Sequence, residues 1–336
     1  MKPLSKKEKT IIILLLAMIT VLPFFLSSYL KHILILIFIW SAISTAWTFM
    51  GRFGMLSLGH GAVMGIGSFT TALLFNYYGL SPWIGMIIGA LMAVIFFAGI
   101  GYFCFRFQVV SHYFAVISLV QTIVVFLVII IFRNFTGGAL GITLNRLGTS
   151  PLFFQFENKN YFYFIGLGYL LLTMYIWRKI DGSRLQRALT AIGDDEAAAS
   201  SVGISIVKYK TIVAVISSFM TAVGAVIYSQ YMMFLHPDVI ASTDASLNIP
   251  FKAVLGGMYS LFGPFIGTSL VIGLEEYFRV LYGSSFIGWS MVGYGIALVI
   301  IIIFLPKGLY GTLSEKLGSK KSLKNILTPE KIESRT

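Results

Sequence analysis

The run YFAVISLVQTIVVFLVIIIF, at residues 113–132, contains no charged residue and is long enough to cross a bilayer as one helix. Comparable apolar runs cover residues 11–30, 33–50, 83–105, 161–177, 212–233 and 286–305. Two shorter runs, at residues 62–78 and 265–278, are rich in Gly, Ser and Thr, which favours helices packed inside a bundle. The sequence therefore predicts an all-α, polytopic transmembrane helical bundle.

The composition of the 336-residue chain supports this interpretation. Hydrophobic residues make up 57% of the chain, charged residues make up 11%, and the mean hydropathy is +0.87, which is outside the range of soluble domains. The single cysteine, Cys104, excludes a disulfide-stapled secreted fold, and the apolar excess excludes a disordered chain. The net charge of +12 lies at the chain ends and in one central loop, which is typical of cytoplasmic segments and indicates no nucleic-acid partner.

The basic residues also predict the orientation of the chain. Both ends are rich in lysine, so both termini are expected to be cytoplasmic, and the number of crossings must be even. The stretch 239–255 is counted as a crossing despite Asp244 and Lys252, which gives about ten spans. The predicted domains are a cytoplasmic N-terminus (1–10), a transmembrane permease domain (11–306) with a cytoplasmic loop at 178–210, and a basic cytoplasmic tail (307–336).

The central cytoplasmic loop has the pattern of a short helix on the membrane face. Asp194 and Asp195 are good N-cap residues, residues 196–201 favour helix, and Gly203 suits a C-cap. The helix is rich in alanine and has little apolar surface to bury against lipid. It fits insertion into a groove of another protein, and it fits a solvated connector equally well.

Two glycine-rich segments interrupt the predicted spans: GRFGMLSLGHG at 51–61 and GGMYSLFGP at 256–264. Irregular backbone at membrane depth persists only where protein or a water-filled cavity satisfies its polar groups, and broken helices often mark a transport pathway. Turn chemistry or tight helix packing is the alternative explanation. The candidate pathway residues are Gly54, Ser57, Gly59, His60, Gln121, Gly256, Gly257 and Gly263.

The two glycine-rich segments share Gly-Met-x-Ser-Leu, which hints at an internal duplication. The predicted topology places both segments on the cytoplasmic side, whereas an inverted repeat would place them on opposite faces. A third glycine-rich segment, TGGALGI at 136–142, is predicted on the outer side. Its glycines either let the backbone come close to a ligand or a docking protein, or belong to an ordinary loop.

The sequence offers no chemistry typical of an enzyme. It contains no metal-ligand spacing, no Ser/His/Asp arrangement and no pair of catalytic carboxylates, so neither a catalytic site nor a metal or cofactor site is predicted. It also contains no phosphate-binding Gly-x-x-x-x-Gly-Lys-[Ser/Thr] loop, so any use of ATP must come from a partner chain.

Several segments, in order along the chain, resemble the signatures of the branched-chain amino acid permeases of ABC importers, of the LivM type. They are GxxGxxSLGHGAxxGIGS at 51–68, TGGxxGI at 136–142, RALxAIxDDEAA at 187–198, VLGGMYSLFGP at 254–264 and LPKGL at 305–309. The resemblance implies a multi-pass permease subunit in the bacterial inner membrane. It also implies as partners a sister permease, two cytoplasmic ATPases that hold ATP and Mg, and an extracytoplasmic binding protein.

The resemblance further implies that the central loop is the coupling helix that receives the ATPase. The residues it assigns to this contact are Arg187, Ala188, Ile192, Asp194, Asp195, Glu196, Ala197, Ala198 and Gly203. The family also includes urea and short-chain amide permeases, with related proteins for sugars and nucleosides, so the transported solute stays open. The alternative function is a stand-alone secondary carrier or channel; a membrane scaffold without transport is disfavoured by the two broken segments.

Overall fold

The structure, a computed structural model, describes residues 19–282 and the single positions 292, 295, 296, 299 and 309. The predicted cytoplasmic N-terminus, the predicted last span and the basic tail lie outside the described residues, apart from those single positions. Most of the described chain is helical, which confirms the all-α prediction.

The helices longer than one turn are α1 (Ser28–Gly51), α2 (His60–Tyr78), α3 (Pro82–Arg106), α4 (Ser111–Ile131), α5 (Lys159–Ile180), α6 (Arg184–Asp194), α7 (Glu196–Ser201), α8 (Ile206–Met232), α9 (Thr243–Gly256) and α10 (Gly263–Tyr282). Single helical turns cover Arg133–Thr136 and Pro237–Ile240, and 3-10 turns cover Leu22–Phe24, Gly138–Leu140 and Pro151–Phe153. Two short strands, β1 (Ile142–Thr143) and β2 (Phe234–Leu235), pair antiparallel with Ile142 opposite Leu235.

Four of the described helices are long and apolar enough to cross a membrane: α1, α3, α4 and α8. Helix α1 is the most enclosed of these: 78% of its apolar 18-residue stretch is buried. Only 33% of the corresponding stretch of α4 is buried. Large aliphatic side chains cover the exposed faces of α3 and α4, among them Ile95, Val116 and Ile131. An exposed apolar surface of this kind is expected where helices contact lipid, so the chain is a membrane protein.

Helices α1 and α5 lie side by side and run in the same direction. At their first residues, the Lys159 Nζ donates to the Ser28 carbonyl oxygen at 3.4 Å, and beyond their last residues Arg52 lies 3.7 Å from the Asp181 carboxylate. A helix of 24 residues is about 36 Å long, so these contacts mark opposite ends of the bundle. The end at Arg52, which also holds α6 and α7, is called the inner end; the end at Ser28 is called the outer end.

The structure corrects the expectation of a single crossing at 239–255. One helical turn ends at Ile240, the Ser242 hydroxyl accepts from the Ala245 N–H at 3.1 Å to cap α9, and Pro250 lies inside the helix. Helix α9 has 14 residues and is therefore about 21 Å long, shorter than the hydrocarbon core of a bilayer. The segment is a half-length helix, and the total of ten spans stays a prediction.

Two predicted helix ends are also wrong. The first apolar run was expected to continue to residue 30, but Pro23 lies in a 3-10 turn and Ser27 caps α1 by accepting from the Leu30 N–H at 3.3 Å. Helix α8 begins at Ile206, six residues before the predicted span, and its early turns include Lys210, which is buried against the bundle instead of lying in a solvated loop.

Candidate functional site

The first glycine-rich segment turns back into the bundle after α1 ends at Gly51. Gly54 lies at the exposed turn with a φ of +78°, and the chain then returns to His60, the first residue of α2, which is fully buried. The Trp47 indole Nε1 donates to the Ser57 carbonyl oxygen at 2.7 Å, which holds the returning segment against α1. The predicted break in the helices is therefore present.

Hydroxyl groups from two other helices bond to the backbone of this segment. From α4, Ser118 Oγ accepts from the Leu58 N–H at 2.9 Å and Thr122 Oγ1 donates to the Leu58 carbonyl oxygen at 3.2 Å. From α9, Ser246 Oγ accepts from the Gly61 N–H at 3.0 Å. These bonds replace the helical hydrogen bonds that the broken segment lacks, so protein groups satisfy this irregular backbone.

The His60 ring joins the segment to α8. Its Nδ1 lies 3.2 Å from Ser57 Oγ and its Nε2 lies 2.9 Å from Ser217 Oγ. Ser217 donates its own proton to the Ala46 carbonyl oxygen at 2.8 Å, so the bonds fit a ring protonated at Nε2. Both ring nitrogens have partners and His60 is buried, as are Ser57 and Gly59, so a place for these residues along an open pathway stays a prediction.

The second glycine-rich segment is a point of close backbone contact between α9 and α10. A Cβ atom on Gly256 would lie 1.8 Å from the Gly263 carbonyl oxygen, and one on Gly263 would lie 1.9 Å from the Gly257 carbonyl oxygen. Tight helix packing therefore explains the glycines at positions 256 and 263, and a place for Gly256, Gly257 and Gly263 along a pathway stays a prediction. The internal duplication stays a prediction, since Ser57 is buried while Ser260, its counterpart in the shared motif, is partly exposed.

Gln121, the remaining pathway candidate, lies on α4 with 5% of its surface exposed. Neither its amide oxygen nor its amide nitrogen has a hydrogen-bond partner among the described residues. A buried amide without partners is energetically unfavourable, which makes Gln121 a candidate for contact with a solute or water.

The central loop forms two helices, α6 and α7. The Asp195 carboxylate accepts from the N–H groups of Ala197 at 2.8 Å and Ala198 at 3.0 Å, so it caps α7 as predicted. Asp194 is instead the last residue of α6, a helix that was not predicted. Its sequence signal is a Ser183 cap followed by apolar residues at positions 185, 189 and 192, which is one helical face.

Two charge contacts fix this loop to the bundle. Glu196 forms an ion pair with the buried Lys210 of α8. The Arg52 guanidinium lies 4.2 Å from the centre of the Trp177 ring and 3.7 Å from the Asp181 carboxylate. Burial lowers the pKa of Arg52 to about 10, and the negative charge of Asp181 limits this decrease. Arg52 therefore stays protonated at neutral pH.

The structure divides the predicted coupling residues into two groups. Ala188 and Ile192 are 7% and 3% exposed and anchor α6 to the bundle, so neither lies on the surface open to a partner. Val202, which was not among the candidates, is 75% exposed at the end of α7 and extends that surface. The predicted residues that lie exposed are Arg187, Asp194, Asp195, Glu196, Ala197, Ala198 and Gly203.

A cavity of about 360 Å³ is lined by residues of both the central loop and the first glycine-rich segment. Its walls include Phe53 and Met55 of that segment, Ile192 of α6, and the paired Glu196 and Lys210. The Glu196–Lys210 ion pair therefore lies beside the first glycine-rich segment.

At the outer end, the third glycine-rich segment packs its backbone against β2. A Cβ atom on Gly141 would lie 2.2 Å from the Leu235 carbonyl oxygen, so the close approach of two chain segments requires glycine there. Close packing explains this glycine within the part of the chain that the structure describes, and a role of the loop in docking stays a prediction.

Comparison with known proteins identifies the family. The family model described as branched-chain amino acid transport system / permease component matches residues 29–305. The high-affinity branched-chain amino acid transport system permease protein LivM of Escherichia coli K12 is 26% identical over 326 residues, 90% of this chain and 75% of the relative. Its counterpart LivH of Salmonella typhimurium is 25% identical over 277 residues, 78% of this chain and 87% of the relative.

A more limited match extends to the ribose import permease protein RbsC of Haemophilus influenzae, which is 26% identical over 188 residues, 51% of this chain and 57% of the relative. No solved structure matches the chain. The family match spans the helical bundle and both glycine-rich breaks. This chain is therefore a membrane permease and not an enzyme, and it belongs to the family of branched-chain amino acid transport system permease components.

Proposed function

We propose that this chain is the membrane-spanning subunit of an ATP-driven importer for a branched-chain amino acid or a similar small polar solute. The names of its LivM and LivH relatives support this class of solute. The ribose permease, which matches half of the chain, is the reason to test other solutes in parallel.

The observation that carries the proposal is the exposed surface of α7 on a loop fixed to the first glycine-rich segment. Small side chains, Ala197 and Ala198, lie beside exposed carboxylates there, which suits insertion into a groove of a cytoplasmic ATPase. When the ATPases bind and hydrolyse ATP, displacement of this loop acts on α8 through Glu196–Lys210. It acts on the broken helix through Arg52–Asp181. The bundle then alternates between two states whose populations the ATPases bias.

The proposal includes partners and an orientation. The inner end faces the cytoplasm of a bacterial cell, in line with its basic residues Arg178, Lys179, Arg184, Arg187 and Lys208, and both chain termini are cytoplasmic. The importer comprises this chain, a sister permease, two ATPases that hold ATP and Mg, and an extracytoplasmic binding protein. No cofactor is assigned to this chain itself.

The test is ATP-driven uptake of radiolabelled leucine, with urea, ribose and a nucleoside in parallel, by proteoliposomes containing the full set of subunits. The variant is Val202→Glu, which places a charge on the exposed surface without disturbing a described contact; the control is Val202→Ala. Substitution of Glu196 would affect the fold as well as the surface, because it leaves the buried Lys210 without its ion-pair partner.

We expect Val202→Glu to reduce both ATPase binding and leucine uptake by about tenfold, while the two permeases still assemble and Val202→Ala behaves as wild type. Uptake by this chain alone, independent of ATP and of position 202, would mean a secondary carrier and would contradict the proposal.

A further inference from the structure

Lys252 places an ammonium group near the centre of the bundle. It lies on α9, 6% of its surface is exposed, and its Nζ lies 4.2 Å from the centre of the Trp40 ring. Trp40 is midway along the 24-residue α1, so it lies about 18 Å from either end of that helix. Lys252 is therefore an intramembrane cation, and such residues mark functional sites by default.

This ammonium has no anionic or hydrogen-bonding partner within the described part of the chain. Its only described contact of a specific kind is the aromatic face of Trp40, which stabilises a cation in part but accepts none of its three N–H donors as an oxygen would. Glu275 on α10 has an exposed side chain and forms no ion pair with Lys252. The described residues therefore leave the N–H donors of Lys252 open to an acceptor from another group.

Lys252 lies on a helix that contacts both glycine-rich segments. Helix α9 is the half-length helix, and its two ends contact the two glycine-rich segments: Ser246 bonds to Gly61, and Gly256 packs on Gly263. Discontinuous helices near the middle of a bundle are where transporters commonly hold their solutes. The Trp40 ring also packs edge-on against Tyr228 of α8 at 5.4 Å, which forms an aromatic wall beside the ammonium.

We propose that Lys252 binds the carboxylate of the transported solute, with the Trp40 and Tyr228 rings as the wall of the subsite. This inference rests on the proposed importer function and narrows its substrate class. An amino acid carries a carboxylate, whereas urea, simple amides, nucleosides and sugars do not. An acidic residue of the sister permease is the competing source of a carboxylate, and the experiments distinguish the two.

The first experiment measures ATP-driven leucine uptake by the complete importer with Lys252→Met, Lys252→Arg and the control Lys179→Met. Lys179 also lies over an aromatic ring, that of Tyr175 at 5.5 Å, but on the exposed surface. We expect Lys252→Met to lower uptake at least about tenfold, since it removes a charged hydrogen bond. Lys252→Arg retains part of the uptake, and Lys179→Met behaves as wild type.

Assembly of the complex and ATP hydrolysis stimulated by the loaded binding protein are measured on the same samples. The subsite predicts that both persist in Lys252→Met. Parallel loss of assembly, hydrolysis and uptake would mean that Lys252 pairs with the sister permease, and would overturn the inference.

The second experiment restores a positive charge at position 252 by chemical modification. Cys104 is the single cysteine of the chain, so Cys104→Ala combined with Lys252→Cys gives a unique thiol. Modification by aminoethyl methanethiosulfonate, which places an ammonium at position 252, is followed by mass spectrometry of this chain in the assembled complex. We expect this modification to recover part of the leucine uptake, and modification by the neutral methyl methanethiosulfonate to recover none.

A thiol that is never modified in any nucleotide state, or one that is modified without any recovery of leucine uptake, would overturn the subsite. Failure of the wild-type complex to take up any solute with ATP would instead overturn the proposed function. Normal uptake by both wild type and Lys252→Met would overturn only the subsite, so the two failures are distinguishable.

Discussion

The Nε2 atom of His60 lies 2.9 Å from the Oγ atom of Ser217, so the first residue of α2 is bonded to the interior of α8. The same hydroxyl donates to the Ala46 carbonyl oxygen of α1. One serine therefore joins three helices beside the break between α1 and α2.

This bond predicts energetic coupling between His60 and Ser217. We expect Ser217→Ala to lower the free energy of unfolding by about 1 kcal/mol, and to cost less when His60 is already replaced by Ala. The measurement is a double-mutant cycle by denaturation in detergent. Ser218→Ala is the control, since Ser218 is equally buried but bonds only within α8. Additive effects for His60 and Ser217 would contradict the coupling.

The contact between α9 and α10 predicts intolerance of any side chain at Gly263. A Cβ atom there would overlap the Gly257 carbonyl oxygen, so we expect Gly263→Ala to destabilise the protein by about 3 kcal/mol and to lower its yield in membranes. Gly273→Ala on the same helix meets nothing and is expected to be neutral or slightly stabilising. The measurement is the thermal unfolding of both purified variants. Equal unfolding temperatures for Gly263→Ala and Gly273→Ala would contradict the packing argument.

The Arg52 side chain predicts a difference between arginine and lysine at this position. The guanidinium stacks on Trp177 while it faces Asp181, and a lysine ammonium cannot make both contacts with the same geometry. We expect Arg52→Lys to cost about 1 kcal/mol of unfolding free energy and to reduce ATP-driven uptake. The exposed Arg178→Lys serves as the control, and a neutral Arg52→Lys would show that only the charge matters.

The unpartnered amide of Gln121 predicts opposite effects on stability and on transport. Replacing it with Met removes a buried polar group at similar volume, so we expect the unfolding free energy to rise by about 1 kcal/mol. If Gln121 lines the pathway, ATP-driven uptake falls in the same variant. Thr122→Val is the comparison, because it removes a bond to the Leu58 carbonyl oxygen and is expected to destabilise. Unchanged uptake in Gln121→Met would remove this residue from the pathway.

The sequence predicted the uniformly apolar helices well. The run at 113–132 appears as α4 at Ser111–Ile131, because an uncharged run of that length has one favourable structure in a bilayer. Helix α6 was missed because it is amphipathic and lies at the bundle end, where hydropathy is low. The prediction for α9 was wrong because the basic residues at the two chain ends indicate only that the number of crossings is even. They do not show whether a given crossing is one continuous helix.

The candidate site was predictable only in part. Glycine spacing identified both broken segments, and Asp195 was a predictable cap because capping depends on neighbouring residues. The partners of the first segment were not predictable, because Ser217 lies 157 residues after His60 and Ser246 lies 185 residues after Gly61. Such pairings depend on how the helices pack, which a single sequence does not state.

The polar character of α2 has a consequence for how the nascent chain reaches its final state. Helix α2 is not among the four described helices that are apolar enough to cross a membrane, and it buries His60, Ser68 and Thr71. At translation rates of about 5–20 residues per second, on the order of 10 s separates synthesis of His60 from synthesis of Ser217. During that interval the His60 ring lacks the Ser217 hydroxyl as a partner, so we expect water or the insertion machinery to satisfy it until α8 is in place.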